Sequence, residues 1–128
     1  LSLTMRFVLL LSALFALSLA CDIIVHLKSK TDKKFEGLIT ASNGKKSEKF
    51  SFSKKGERLT FQQKADECGL KPWNIATYEN GKEVTNVTVT LDGIGRVSYE
   101  VGDDLKPKPK DRQGAICKGD ANVCPPLA

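Results

Sequence analysis

Four cysteines, Cys21, Cys68, Cys117 and Cys124, are spread along this 128-residue chain, and the stretch ahead of the first decides what they become. Met5 to Cys21 reads MRFVLLLSALFALSLAC: one positive charge, Arg6, then an apolar run from Phe7 to Ala20 broken only by Ser12 and Ser18. The run ends in Ser18-Leu19-Ala20, small residues at the two positions a signal peptidase reads. This is the pattern of a secretory signal peptide spanning residues 1–20, with Met5 the expected start and Leu1 to Thr4 upstream of it. A membrane-spanning helix needs about 20 predominantly apolar residues. The run is shorter and no second one follows, so no transmembrane segment is expected in the mature chain. Export delivers the cysteines to an oxidising compartment, where an even number in a small domain reads as disulfides. Zinc is the rival reading, but there is no Cys-x-x-Cys pair and only one histidine, His26. A bacterial lipoprotein also begins its mature chain with cysteine, but wants Leu where this chain has Ser18, and acylation would leave an odd number of thiols.

Cleavage before Cys21 leaves 108 residues and lowers the formal charge from +5 to +4. That length suits one domain. Four cysteines allow three pairings. Cys117 and Cys124 enclose six residues that include Gly119 and Asn122, which favours local closure and leaves Cys21 to pair with Cys68. A nested pairing of the tail with Cys21 or Cys68 is nearly as good.

From Cys21 to Val101 the chain alternates apolar and polar residues in short runs divided by Gly and Asn. Ile23, Val25 and Leu27 form one half-buried strand. Phe35 to Thr40 is a second, closed by Ser42-Asn43-Gly44, and Phe50 with Phe52 a third, closed by Lys54-Lys55-Gly56. Trp73-Asn74-Ile75 resumes the pattern, and Asn80-Gly81 suits a type I′ hairpin turn. Val87, Val89 and Leu91 alternate next. Asp92-Gly93-Ile94-Gly95 reads as turn chemistry before the strand Val97 to Val101. One segment differs: Thr60-Phe61-Gln62-Gln63 has the form of a capping box, and Phe61, Ala65 and Cys68 share a helical face closed by Gly69, which predicts a short helix near 61–68. Six or seven antiparallel strands with one short helix indicate a mainly β fold, a small disulfide-stapled β-sandwich or closed barrel over 21–102. Residues 103–128, with Lys106-Pro107-Lys108-Pro109-Lys110, read as an extended linker and a cysteine-bearing tail.

Few residues point to chemistry. His26 has no accompanying nucleophile motif and reads as a rim histidine. Asp66-Glu67 and Asp103-Asp104 are neighbours in sequence and do not face each other across a cleft. Gly93-Ile94-Gly95 lacks the spacing of a phosphate loop. No enzyme, cofactor or metal is expected from these patterns. Asn86-Val87-Thr88 is an N-glycosylation sequon whose Asn lies opposite the Val87, Val89, Leu91 face, so a sugar there points to solvent. Between residues 28 and 58 stand ten basic residues, Lys28, Lys30, Lys33, Lys34, Lys45, Lys46, Lys49, Lys54, Lys55 and Arg58, against four acids, a local balance of +6. One electropositive rim for a heparan-type glycan or anionic surface is the functional reading. A solubilising lysine face that discourages strand-edge pairing is the plainer one. Nucleic acid is not expected, since the chain is exported and its basic residues are not interleaved with stacking aromatics.

Two resemblances add expectations. Cys21-Asp22-Ile23-Ile24-Val25, Cys68-Gly69-Leu70-Lys71-Pro72-Trp73 and Arg112-Gln113-Gly114-Ala115-Ile116-Cys117 resemble small excretory-secretory proteins of nematodes, which implies secretion and no catalytic activity. An amino-terminal cysteine ahead of a small disulfide-bonded β-domain is similar to the netrin-like inhibitors of metalloproteases. That resemblance implies a netrin-like barrel in which the amino group and carbonyl of Cys21 chelate a protease zinc, although that family continues Cys-x-Cys where this chain has Cys21-Asp22-Ile23. The reading is thus a secreted, non-enzymatic protein recognising an extracellular protein or glycan, with protease inhibition and polyanion binding as alternatives.

Overall fold

The computed structural model describes residues 21–66 and 68–128; the leader expected at 1–20 and its cleavage site lie outside them. Every regular element among the described residues is a strand: β1 Cys21–Ser29, β2 Phe35–Thr40, β3 Phe50–Phe52, β4 Arg58–Ala65, β5 Trp73–Glu79, β6 Lys82–Val101 and β7 Pro107–Lys118. The hydrogen-bonded order β3-β2-β5-β6-β1-β4 curls into a nearly closed six-strand barrel, with β7 paired to β6 beside it. The short turn 53–57 connects β3 to β4, the two ends of that order, and so closes the sheet on itself. Both chain-reversal glycines expected from the sequence take positive φ, Gly44 at 84° and Gly56 at 92°, and Asn80-Gly81 makes the β5–β6 hairpin with φ 52° and 78°.

The interior follows from the period-2 alternation. Ile23, Val25 and Leu27 of β1, Ile75 of β5 and Leu91, Val97 and Tyr99 of β6 are fully buried. Trp73 is buried too, with Phe61 edge-on at 6.5 Å between ring centroids. Space inside is tight. A Cβ on Gly37 would stand 2.9 Å from both Leu27 and Phe52, so glycine is what lets the Phe35–Phe52 ring stack, 4.5 Å between centroids, lie across β2.

Four expectations are corrected. The segment near 61–68 is not a helix: residues 58–65 are β4, paired antiparallel with β1 from Cys21↔Ala65 to Lys28↔Arg58. Phe61 and Ala65 are four apart, a spacing that suits both a helical face and a strand face, so they did not discriminate. Leu59 and Gln63 are buried while Thr60, Gln62 and Lys64 are exposed, the alternation of a strand. Thr60 does not cap anything; its hydroxyl meets the His26 ring. The strands are also not all antiparallel. β1 and β6 run parallel from Asp22↔Ile94 to Ser29↔Val101, and the β2–β5 stretch serves as the long crossover a parallel pair requires. Asp92-Gly93-Ile94-Gly95 is not a turn between strands but a bulge within β6. The Lys/Pro segment is extended as expected, yet it is no linker: Pro107 to Lys118 pair with β6. Proline is tolerated there because β7 is an edge strand.

The disulfides take the pairing in which the tail closes on itself and is not nested with Cys21 or Cys68. Cys21 joins Cys68 and Cys117 joins Cys124, with Cα separations of 6.0 and 5.8 Å. Two disulfides place the protein in an oxidising compartment.

The barrel's seam is latched by a side chain. Gln63 is buried, donates from Nε2 to Ser42 Oγ at 2.9 Å, and accepts from the Asn43 N–H at Oε1. It thus ties β4 to the turn after β2 where no strand ladder does. Gln63→Ala is expected to cost about 1–3 kcal/mol by leaving those groups unsatisfied. Gln62→Ala, which loses only an exposed bond to Asp22, should stay within about 0.5 kcal/mol. Urea unfolding of the two variants checks this, and equal losses would refute the latch.

Candidate functional site

Topology divides the basic residues into two groups. β1 ends and β2 begins at one end of the barrel, where the 53–57 turn also lies, so Lys28, Lys30, Lys33, Lys34, Lys54, Lys55 and Arg58 gather there. Lys45 and Lys46 lie at the other end, by the turn after β2, while Lys49 precedes β3 with its Nζ 4.1 Å above the ring of Tyr78, the partner of Glu36 near the start of β2. One continuous rim is therefore not formed. Acids are interleaved as well: Lys30 pairs with Glu100 at 3.4 Å, Lys55 with Asp32 at 3.9 Å, and Lys33 donates to the Asp103 carbonyl at 2.8 Å.

Two cations at this end stand opposite each other without such a partner among the described residues. Lys28 and Arg58 are direct register partners on β1 and β4, pointing outward. Like charges placed opposite each other destabilise a strand pair. They line a cavity of about 180 Å³ together with His26, Ser98, Glu100, Lys110 and Asp111. Of the two acids of that cavity, Glu100 is paired with Lys30 and Lys110, and Asp111 lies 3.7 Å from Arg96 with its Oδ1 buried and without a hydrogen bond among the described residues.

His26 stands at the centre of a row that crosses four strands: Thr60 on β4, His26 on β1, Ser98 on β6, Asp111 on β7. The residue types are those of a hydrolytic triad, but the order is wrong for one. An imidazole must sit between nucleophile and carboxylate, whereas Asp111 lies beyond Ser98. His26 Nδ1 is instead bonded to Thr60 Oγ1 at 2.8 Å. Burial holds the His26 pKa below its ordinary value, and the nearby Arg58 and Arg96 push the same way against Asp111. The ring is therefore neutral at pH 7. This row was invisible in sequence, because its members are joined only by strand register.

Farther along the same outer face lies an apolar patch. The register between β6 and β7 slips between Gly93 and Arg96, so Ile94 and Gly95 oppose Gly114. Gly95 permits the close approach: a Cβ there would collide with the backbone of Gln113 and Ala115. Bulges re-aim side chains, and this one leaves Ile94 64% exposed, with Ile116 beside Gly93 at 54%. Asp22, Ile24, Gly95, Arg96 and Gln113 complete the walls of a shallow cavity of about 270 Å³ at Ile94. No turn or strand pattern announced this patch.

The remaining sequence-derived positions are dispersed. Asn86 is exposed on β6, its Oδ1 accepting from the Asn74 amide at 3.3 Å. Cys21 is fully buried as the first residue of β1, opposite Ala65 and bonded to Cys68. The four cysteines are all engaged in the two disulfides.

No protein-family model and no curated protein matches this chain. Among the described residues no helix is long and apolar enough to cross a membrane, and no cluster of His, Cys, Asp or Glu has the makings of a metal site. What the fold and the face define is a disulfide-stapled β-barrel with an apolar patch and an unbalanced basic cavity on one sheet.

Proposed function

We propose that this is a secreted, non-enzymatic recognition protein that binds an extracellular macromolecule through the outer face of the β4-β1-β6-β7 sheet. The observation that carries the reading is the Gly95 bulge, which gives up regular pairing and leaves Ile94 out in solvent, with Ile116 exposed over Gly93 on the neighbouring strand. An apolar centre ringed by Asp22, Arg96 and Gln113 has the anatomy of a protein interface, where a few central apolar residues carry most of the energy. The two disulfides and the apolar leader support release from the cell, and Asn86 is exposed where an N-linked sugar would leave this face uncovered.

The test uses protein collected from the medium of cells expressing the full chain. Its mature start is expected at Cys21, and it is expected to bind extracellular-matrix or cell-surface preparations saturably. Ile94→Glu with Ile116→Glu should weaken that binding at least tenfold while leaving the melting temperature within a few degrees, since both side chains are solvent-exposed. Retention in the cell, or undiminished binding by the double variant, overturns the proposal.

A further inference from the structure

We infer that the cavity between Lys28, Arg58 and His26 is a binding site for a tetrahedral oxyanion ester carried on a sugar. The inference rests on the reading of this sheet as a recognition face and names the chemistry of one part of it. Three independent features converge. Lys28 and Arg58 face each other in register; Glu100, the neighbour of Lys28 on β6, gives its carboxylate to Lys30 and Lys110, and no ion pair reaches either cation among the described residues, an arrangement that costs stability until an anion sits between them. The other lining charges are matched within the protein, Glu100 by Lys30 and Lys110, Asp111 by Arg96, so the surplus is confined to these two cations. Thr60 occupies His26 Nδ1 at 2.8 Å, and Nε2 has no hydrogen-bond partner among the described residues.

Arg58, Lys28 and, with the Thr60 hydroxyl donating to Nδ1, the His26 Nε2–H offer three separate donors, one for each terminal oxygen of a sulfate or phosphate ester. Size agrees with this. At about 180 Å³ the cavity is smaller than the roughly 300–1,000 Å³ of clefts that enclose whole small molecules. It holds one charged group of a larger ligand and leaves the rest outside. Ser98 and the engaged Glu100, Lys110 and Asp111 form its far wall. Ile94 stands four residues from Ser98 on β6, about 13 Å at strand rise, so a ligand spanning both would be macromolecular. Electrostatics adds a readout. Burial first, and then Arg58 and Arg96, hold the His26 pKa down against Asp111, so a bound anion is expected to raise it and R58Q to raise it without ligand.

The experiment is an NMR titration of the full mature protein at low salt with glucosamine 6-sulfate, glucose 6-phosphate and unesterified glucosamine. Expected are saturable shifts centred on His26 with one of the esters and none with glucosamine, and a His26 midpoint that moves upward at saturation. The preferred ester identifies sulfated or phosphorylated glycan as the source. K28Q and R58Q should each weaken binding at least tenfold, and K45Q/K46Q, at the barrel's other end, should not. Non-saturating shifts with both esters, equal response to glucosamine, or equal loss in K45Q/K46Q would each overturn the site. None of these outcomes depends on Ile94, so failure here leaves the test of the apolar patch standing, and failure there leaves this one.

Discussion

Removing the Cys21–Cys68 disulfide as Cys21→Ala/Cys68→Ala is expected to lower the unfolding free energy by roughly 4 kcal/mol. The two cysteines are 47 positions apart, so the bridge removes a long loop's worth of freedom from the unfolded chain. Cys117 and Cys124 are 7 apart, and the same chain-entropy estimate gives only about 2.5 kcal/mol. Context reinforces the difference. Cys21 and Cys68 are buried against the core, and Gln63 reaches toward Cys68 with Nε2 at 3.5 Å from its Sγ, so the bridge joins the start of β1 to the seam latch. Cys117 and Cys124 are only partly buried at the barrel's margin. Domains of this size have about 5–15 kcal/mol in total, so the first variant should sit near the edge of folding at 37 °C. Urea melts must be compared as free energies, because an uncrosslinked chain exposes more surface on unfolding and steepens the transition. A greater loss from the Cys117/Cys124 pair would sink the account.

Gly95→Ala is expected to cost at least about 3 kcal/mol, and Gly95→Val to prevent β6–β7 pairing altogether. The added Cβ meets main chain, the Gln113 carbonyl and the Ala115 nitrogen, and no side-chain rotation relieves that. Gly114 opposes it from β7 at φ 73°, where a Cβ would stand 2.5 Å from the Ile94 carbonyl, so the bulge depends on glycine from both strands. Gly102→Ala is the control: its Cβ would meet nothing within 4 Å, and it should be neutral within about 0.5 kcal/mol. Thermal melts give the ranking, and a Gly95→Ala protein as stable as the parent would refute the bulge. The same variant should also weaken partner binding, since pushing β7 away moves Ile116 from its place over Gly93.

These glycines illustrate how far local pattern reaches. Gly44, Gly56 and Gly81 were legible as turn residues, because a turn is a local event whose residues are adjacent in sequence. Gly93 and Gly95 carry the same composition and were read the same way. What makes the segment a bulge is β7, some twenty positions downstream, whose backbone passes so close to Gly95 that no Cβ fits there. The segment 58–65 teaches the same lesson. Thr60, Phe61, Gln63 and Ala65 satisfy helix and strand templates alike, and the ladder with β1 settles the matter by pairing every residue from Arg58 to Ala65. A preference of a few tenths of a kcal/mol per residue cannot compete with that much register and burial.

By itself, then, the chain determined its β character, most strand positions, the Asn80-Gly81 hairpin and a pool of four cysteines, all properties of near neighbours in sequence. Closure into a barrel, the parallel β1–β6 pair and both features of the proposed face were decided only in three dimensions. Thr60, His26, Ser98 and Asp111 form one row, and Lys28 confronts Arg58, because strand register brings together residues that sequence holds apart. Periodicity says which side of a strand a residue faces; only pairing says what it faces there.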